Sequence, residues 1–126
     1  MNSEKIFNES QELTQIKVDS QSYWEEIISA MHNVMQGSGT ARNVGLGSPY
    51  EMAGKSGTVQ VISVGQEEEY DRDLIDERFQ DHALFVAFAP LNKPEIAVAV
   101  IVENGNSGSR VAAPIAKSIM DKYLGY

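Results

Sequence analysis

Trp24, Ile27, Ile28, Met31, Val34 and Met35 follow one another at intervals of three and four, the spacing that lines one face of an α-helix with apolar side chains. Just before them, Ser22-Tyr23-Trp24-Glu25 has the form of a capping box. In that arrangement a serine oxygen accepts a helix N–H and a glutamate reaches back to the serine N–H, so a helix is predicted to start there. Gly37 can take the left-handed conformation that ends a helix. The stripe is expected to be core.

The pattern then changes period. Gly37 to Pro49 is rich in glycine and serine and reads as an irregular connection, of a length that often carries function. Thr58 to Val64 alternates and is β-branched, which marks a strand beginning at Lys55-Ser56-Gly57. A short helix is expected around Asp73 to Phe79. Ala83 to Ala89 and Glu95 to Glu103 are two further apolar runs, joined by the turn Leu91-Asn92-Lys93-Pro94 into a hairpin. Both are apolar on both faces, so the sheet is expected to be covered on each side, with Ala97 and Ala99 small enough to admit a helix closely.

A second helix is predicted after Gly108, with Ser109 as its cap, running to about Tyr123. Val111, Ile115, Ile119 and Tyr123 recur every four residues as its core stripe. Pro114 implies either an irregular first turn or a later start. The order is helix, strand, hairpin, helix: an α+β fold in which a three-stranded antiparallel sheet carries N- and C-terminal helices. Residues 1–21 read as a poorly structured lead-in, with one short strand near Thr14 to Val18, and residues 22–126 as the folded unit.

Composition narrows the partners. The 126 residues suit one domain, and 42% hydrophobic with 22% charged residues is the balance of a globular chain. No apolar run is long enough to cross a bilayer, and Met1 to Gln15 has no apolar stretch after a basic start, so neither membrane segment nor targeting signal is expected. The net charge of −8 is concentrated between Gln66 and Asp81, which argues against nucleic acid as a partner, since binding there rests on basic residues. With no cysteine, and with His32 and His82 isolated, no metal site and no cofactor are expected. Glu68 and Asp71 could be drawn as a carboxylate pair, but no apolar surroundings separate their pKa values.

The stretch from Gly47 to Val61, GSPYEMAGKSGTVQV, invites a phosphate-loop reading. A Walker loop needs glycine five residues before its Gly-Lys-Ser/Thr glycine, and a helix after it. Here Pro49 stands at that position and a strand follows, so the reading fails. A strand carrying Lys55, Ser56, Gly57 and Thr58 suits a carboxylate instead: the hydroxyls and the ammonium can hold it, and a backbone N–H can point at a developing oxyanion. Lys-Ser/Thr-Gly is also the third motif of the penicillin-recognising serine enzymes, beside Ser-x-x-Lys and Ser-x-Asn.

The surrounding blocks carry the comparison further. Gly39-Thr40-Ala41, then Ala53-Gly54-Lys55-Ser56-Gly57-Thr58-Val59-Gln60-Val61, then Asp81 to Pro90 and Ile96 to Gly105, fall in order along a chain that from about Trp24 to Tyr123 resembles the C-terminal part of the transpeptidase domain of class B penicillin-binding proteins, the penicillin-binding protein 2 group in particular. The resemblance implies a partial serine β-lactamase-like fold and a peptidoglycan D,D-transpeptidase at the periplasmic face of the inner membrane. It implies that Lys55 joins the polar network beside the nucleophile. Ser56 and Thr58 would bind the terminal carboxylate of a stem peptide or β-lactam, Gly57 would give the ligand clearance, and the Thr58 backbone N–H would form half the oxyanion hole.

The match has a gap. No serine here is followed three places later by lysine or two places later by asparagine, so the chain carries no family nucleophile and is expected to be inactive alone. It reads as a fragment that needs an upstream transpeptidase segment, with the Glu95 to Glu103 edge exposed and prone to self-association. The alternative is a noncatalytic binding or interaction module that reuses the fold.

Overall fold

In the computed structural model, residues 16–61 and 76–126 are described. Helix α1 spans Gln21–Asn33, a short α2 spans Arg42–Gly45, strand β1 spans Ala53–Val59, β2 His82–Ala89, β3 Ile96–Val102, and helix α3 Ala113–Leu124. A 3-10 turn, Glu77–Phe79, precedes β2, and a π-helical turn, Gly108–Ala112, leads into α3. The sheet is antiparallel throughout, in the order β1-β2-β3, which confirms the hairpin and the α+β arrangement.

Several boundaries differ from the sequence reading, each for a local reason. The cap of α1 is Ser20, not Ser22: Ser20 is extended and its Oγ accepts the Ser22 N–H, while the two hydroxyls lie 2.8 Å apart, so Ser22 already belongs to the first turn. Strand β1 starts at Ala53 rather than Lys55 and ends at Val59. Its ladder runs from Ala53 opposite Phe88 to Val59 opposite His82, and β2 offers no partner beyond His82. Residues 62–64 of the expected strand, and 73–75 of the expected helix, lie outside the described residues, as do Thr14 and Gln15; Ile16 to Val18 are not in a strand. The π-helical turn is the irregular start that Pro114 implied. Ser107, not Ser109, caps that turn by accepting the Arg110 N–H, and Gly125 closes α3 in the left-handed region at φ 86°.

The core lies on one face of the sheet. Ala83, Phe85, Ala87 and Ala89 of β2 are buried, and their partners Val102, Val100, Val98 and Ile96 in β3 pack against the same cluster. Against them lie Ala112, Ala113, Ala116 and Met120, all fully buried. This corrects the expected helix stripe: Val111, Ile115, Ile119 and Tyr123 are on the outer side, with Tyr123 63% exposed. A helix seated over a fully buried Phe85 needs small side chains where it comes closest, and the π-helical turn and α3 together place three alanines there, Ala112, Ala113 and Ala116. Complete burial of Phe85 or Met120 is worth about 1.5 to 3 kcal/mol each.

The opposite sheet face is only partly covered among the described residues, contrary to the expectation of cover on both sides: Ala53 at the start of β1 is buried, and Leu84 and Phe88 are half-buried. Val86 and Ile101 are 45% and 67% exposed, and Ala97 and Ala99 lie on this face rather than under a helix. The outer half of the α1 stripe is likewise uncovered: Met35 is buried, but Ile27 is 52% exposed. Both β1 and β3 are outer strands, so the expected free edge at β3 is present among the described residues.

Candidate functional site

Strand β1 is held on its flanks. On one side β2 supplies the ladder, and at the strand's entrance His32 of α1 bonds through Nδ1 to the Met52 carbonyl at 2.9 Å, with Nε2 2.7 Å from Gln36 Nε2. The Met52 carbonyl accepts, so Nδ1 carries the proton and Nε2 accepts from the Gln36 amide. His82 takes the complementary role at the far end of the sheet, its Nδ1 accepting the Asn104 N–H at 3.0 Å. Both histidines thus have polar backbone partners.

Two glycines set how closely the chain packs around β1. A Cβ on Gly54 would lie 2.7 Å from the Phe85 ring, so glycine at 54 makes room for the largest buried side chain. A Cβ on Gly108 would run into the Leu84 carbonyl oxygen and lie 2.6 Å from that of Gly57, so the π-helical turn rests directly on the Gly57–Leu84 backbone pair. At Gly57 a Cβ would meet only Leu84 Cβ at 3.4 Å, an ordinary contact.

The register separates the four motif residues by face. Lys55 and Gly57 share a face with Val86 and Leu84, while Ser56 and Thr58 share the other with Phe85 and Ala83. Lys55 and Thr58 are exposed and Ser56 is half-buried. The Lys55 ammonium donates to the Ser56 carbonyl, and Ser56 Oγ lies 3.3 Å from Thr40 Oγ1. Thr40 was visible in the sequence only within the Gly39-Thr40-Ala41 block. Its approach to Ser56 depends on the connection folding back along β1, where the Ala41 N–H donates to Val34 O and Gly39 leaves no room for a Cβ against the Asn33 and Val34 carbonyls.

A second cluster carried one sequence signal, the four-residue spacing of Lys117 and Asp121 on the predicted helix, which the sequence reading left unused. Tyr50, three residues before β1, donates to Asp121 Oδ1 at 2.6 Å, and Lys117 Nζ donates to the same oxygen at 2.5 Å. The ammonium also lies 5.1 Å from the Tyr50 ring centroid, and the Tyr126 ring is 5.4 Å away from that of Tyr50. Burial, then the hydrogen bond to Asp121 and its charge, push the Tyr50 hydroxyl well above the ordinary tyrosine range. Burial acts to raise Asp121, but the hydrogen bonds from Lys117 and Tyr50 and the Lys117 charge outweigh it and hold the carboxyl below its usual value. Glu68 and Asp71 lie outside the described residues, and among the described residues no helix is long and apolar enough to cross a membrane.

An ordered set of blocks on this hairpin-and-helix frame points to one family, and the family pattern described as "Penicillin binding protein transpeptidase domain" matches residues 3–121. The chain belongs to the penicillin-binding transpeptidase family. The peptidoglycan D,D-transpeptidase MrdA of Acinetobacter baumannii is 49% identical over 102 residues, covering 80% of this chain and 15% of that protein. The crystal structure of Pseudomonas aeruginosa PBP2 in complex with WCK 5153 is similar at a TM-score of 0.72 and 46% identity, over 88% of this chain and 22% of that one. Helicobacter pylori PBP2, in a complex with MreC, is similar at a TM-score of 0.64 and 29% identity, over 83% of this chain and 18% of that one. The three-stranded sheet with its helices is therefore part of a transpeptidase fold. The chain spans 15 to 16% of the length of the MrdA relatives from Acinetobacter baumannii and Haemophilus influenzae.

Proposed function

We propose that residues 22–126 supply the carboxylate-recognising wall of a peptidoglycan D,D-transpeptidase site, whose nucleophile lies outside this chain. The observation that supports it best is the meeting of Thr40 and Ser56 hydroxyls at 3.3 Å on an accessible outer strand, with Thr58 on the same face and Lys55 adjacent. A carboxylate only accepts hydrogen bonds, so Ser56 must donate its one proton to it and then accept from Thr40. Thr58 donates in parallel. Thr40, Ser56 and Thr58 thereby orient the terminal carboxylate of a D-Ala-D-Ala stem peptide or of a β-lactam, with Lys55 supplying positive charge.

Gly57 leaves clearance over the strand, and the Thr58 backbone N–H stabilises the oxyanion as the serine of the complete enzyme attacks the scissile carbonyl. That serine forms an acyl-enzyme and releases D-alanine, and an amine of a neighbouring stem peptide then takes the acyl group. Lys55 contributes to the polar network at the nucleophile, and the complete protein works at the periplasmic face of the inner membrane. Taken alone, the chain self-associates through the free edge of β3.

Labelling with a fluorescent penicillin tests the reading. The 126-residue chain alone should remain unlabelled, whereas the chain joined to the upstream part of a transpeptidase domain should be labelled, and Ser56→Ala with Thr58→Ala should slow that labelling. Covalent labelling of the isolated chain, or unchanged labelling in the double variant, would overturn it.

A further inference from the structure

The chain has ten basic residues against eighteen acidic ones. Yet one groove, of about 840 Å³ between the 39–48 connection and α3, is lined by Arg42, Arg110 and Lys117, with Asp121 as its one acid. Lys117 and Asp121 neutralise each other. Arg42 and Arg110 do not: both are exposed, and among the described residues neither guanidinium has an ion pair or a hydrogen bond.

Their backbones are nevertheless anchored on the two walls. Arg42 opens α2, its N–H bonded to the Gly39 carbonyl, and the Arg110 N–H is bonded to Ser107 Oγ in the turn before α3. Between them Asn43, Ser109 and Ser118 add hydrogen-bonding groups, and Leu46 and Pro114 add apolar surface. Leu46 is 84% exposed, the most exposed large apolar side chain among the described residues.

We propose that this groove binds an acidic peptide segment of a partner protein. A guanidinium matches a carboxylate through two parallel hydrogen bonds, and two unpaired guanidiniums on opposite walls bracket carboxylates carried on one extended strand. The volume lies within the range of ligand clefts. Leu46 and Pro114 offer an apolar contact that a small inorganic anion would not use. A nucleic acid fits less well, because its repeated phosphates meet the repulsion of a chain with net charge −8 beyond the groove. The groove lies on the α3 side of the connection and shares only Thr40 with the proposed carboxylate wall, so the inference does not rest on the transpeptidase reading.

Fluorescence anisotropy of a short labelled peptide of glutamate and leucine, titrated with the full chain, tests this. Lysine-leucine peptide and a single-stranded oligonucleotide serve as comparisons. The acidic peptide should bind preferentially, more weakly as salt rises, and Arg42→Glu or Arg110→Glu should each weaken it by about tenfold or more, the loss of one charge-assisted contact. Arg78→Glu, outside the groove, should leave binding unchanged. Circular dichroism checks each fold, with Arg42→Gln and Arg110→Gln replacing any variant that unfolds. Absence of binding, indifference to both arginine substitutions, or equal binding of the oligonucleotide would overturn the proposal. So would loss of peptide binding when the chain sits in a complete transpeptidase domain, since the groove would then be filled by the rest of the protein.

Discussion

The Tyr50 hydroxyl donates to Asp121 Oδ1 at 2.6 Å, joining residues 71 positions apart and tying the approach to β1 to the last turn of α3. Tyr50→Phe keeps the ring beside Tyr126 and Lys117 and removes only that bond. A hydrogen bond to a partly buried carboxylate of this kind is worth about 1 to 2 kcal/mol. The variant should lose that much in urea unfolding, with an unchanged denaturant slope.

The same carboxylate makes stability depend on acid. Asp121 is held below its usual value in the folded chain, so its contribution is complete above the unfolded pKa, about 3.9, and is lost as pH falls through the lower folded value. The stability advantage of the natural chain over Asp121→Asn should be constant from neutral pH down to about 5 and shrink below about 4. Urea midpoints measured across that range give the answer. A constant difference would show that Asp121 is not depressed.

Met120 and Ile119 separate the two faces of α3. Met120 is fully buried and Ile119 is 46% exposed. Met120→Ala should cost about 2 to 5 kcal/mol through lost burial and a residual cavity, whereas Ile119→Ala should cost under about 1 kcal/mol. Equal costs would restore the outer stripe as core.

Gly108 is predicted to be intolerant of the smallest side chain. Its Cβ would collide with the Leu84 carbonyl and crowd Gly57, both backbone atoms of the central ladder, so the turn must lift away from the sheet. Gly108→Ala should destabilise by about 3 kcal/mol or more, read as a lowered urea midpoint or a loss of soluble protein. Gly47→Ala is the comparison for backbone strain alone, since a Cβ there meets nothing within 4 Å although φ is +73°.

Thr40 should matter for capture of a β-lactam and little for folding, because its one side-chain partner is the Ser56 hydroxyl. In the chain joined to the rest of a transpeptidase domain, Thr40→Val should slow acylation by about tenfold, the cost of roughly one oriented hydrogen bond, with an unchanged melting temperature. Thr40→Ser should retain most of the rate.

Elements were legible where local chemistry is decisive. Apolar runs on either side of Leu91-Asn92-Lys93-Pro94 specify the hairpin, and Pro114 anticipates the disturbed first turn of α3. The Lys55 to Thr58 strand was recognisable because a proline at 49 and the strand that follows exclude a phosphate loop. The Thr40–Ser56 and Tyr50–Asp121 contacts were not, since nothing in the sequence announces a meeting across 16 or 71 positions, whereas the Lys117–Asp121 pair has the four-residue spacing of a helix face.

The amphipathic faces show most clearly where sequence reading stops. Along the π-helical turn and α3 the larger side chains Val111, Ile115, Ile119 and Tyr123 form the more hydrophobic stripe, and periodicity alone selects them. The fold selects Ala112, Ala113, Ala116 and Met120, because proximity to Phe85 rewards small volume over hydrophobicity. Period, turn chemistry and the order of motif blocks are properties of neighbouring residues and are written along the chain. Which face is buried, which hydroxyls meet and which charges stay unpaired depend on distances between remote segments, and those are set only when the sheet and α3 come together.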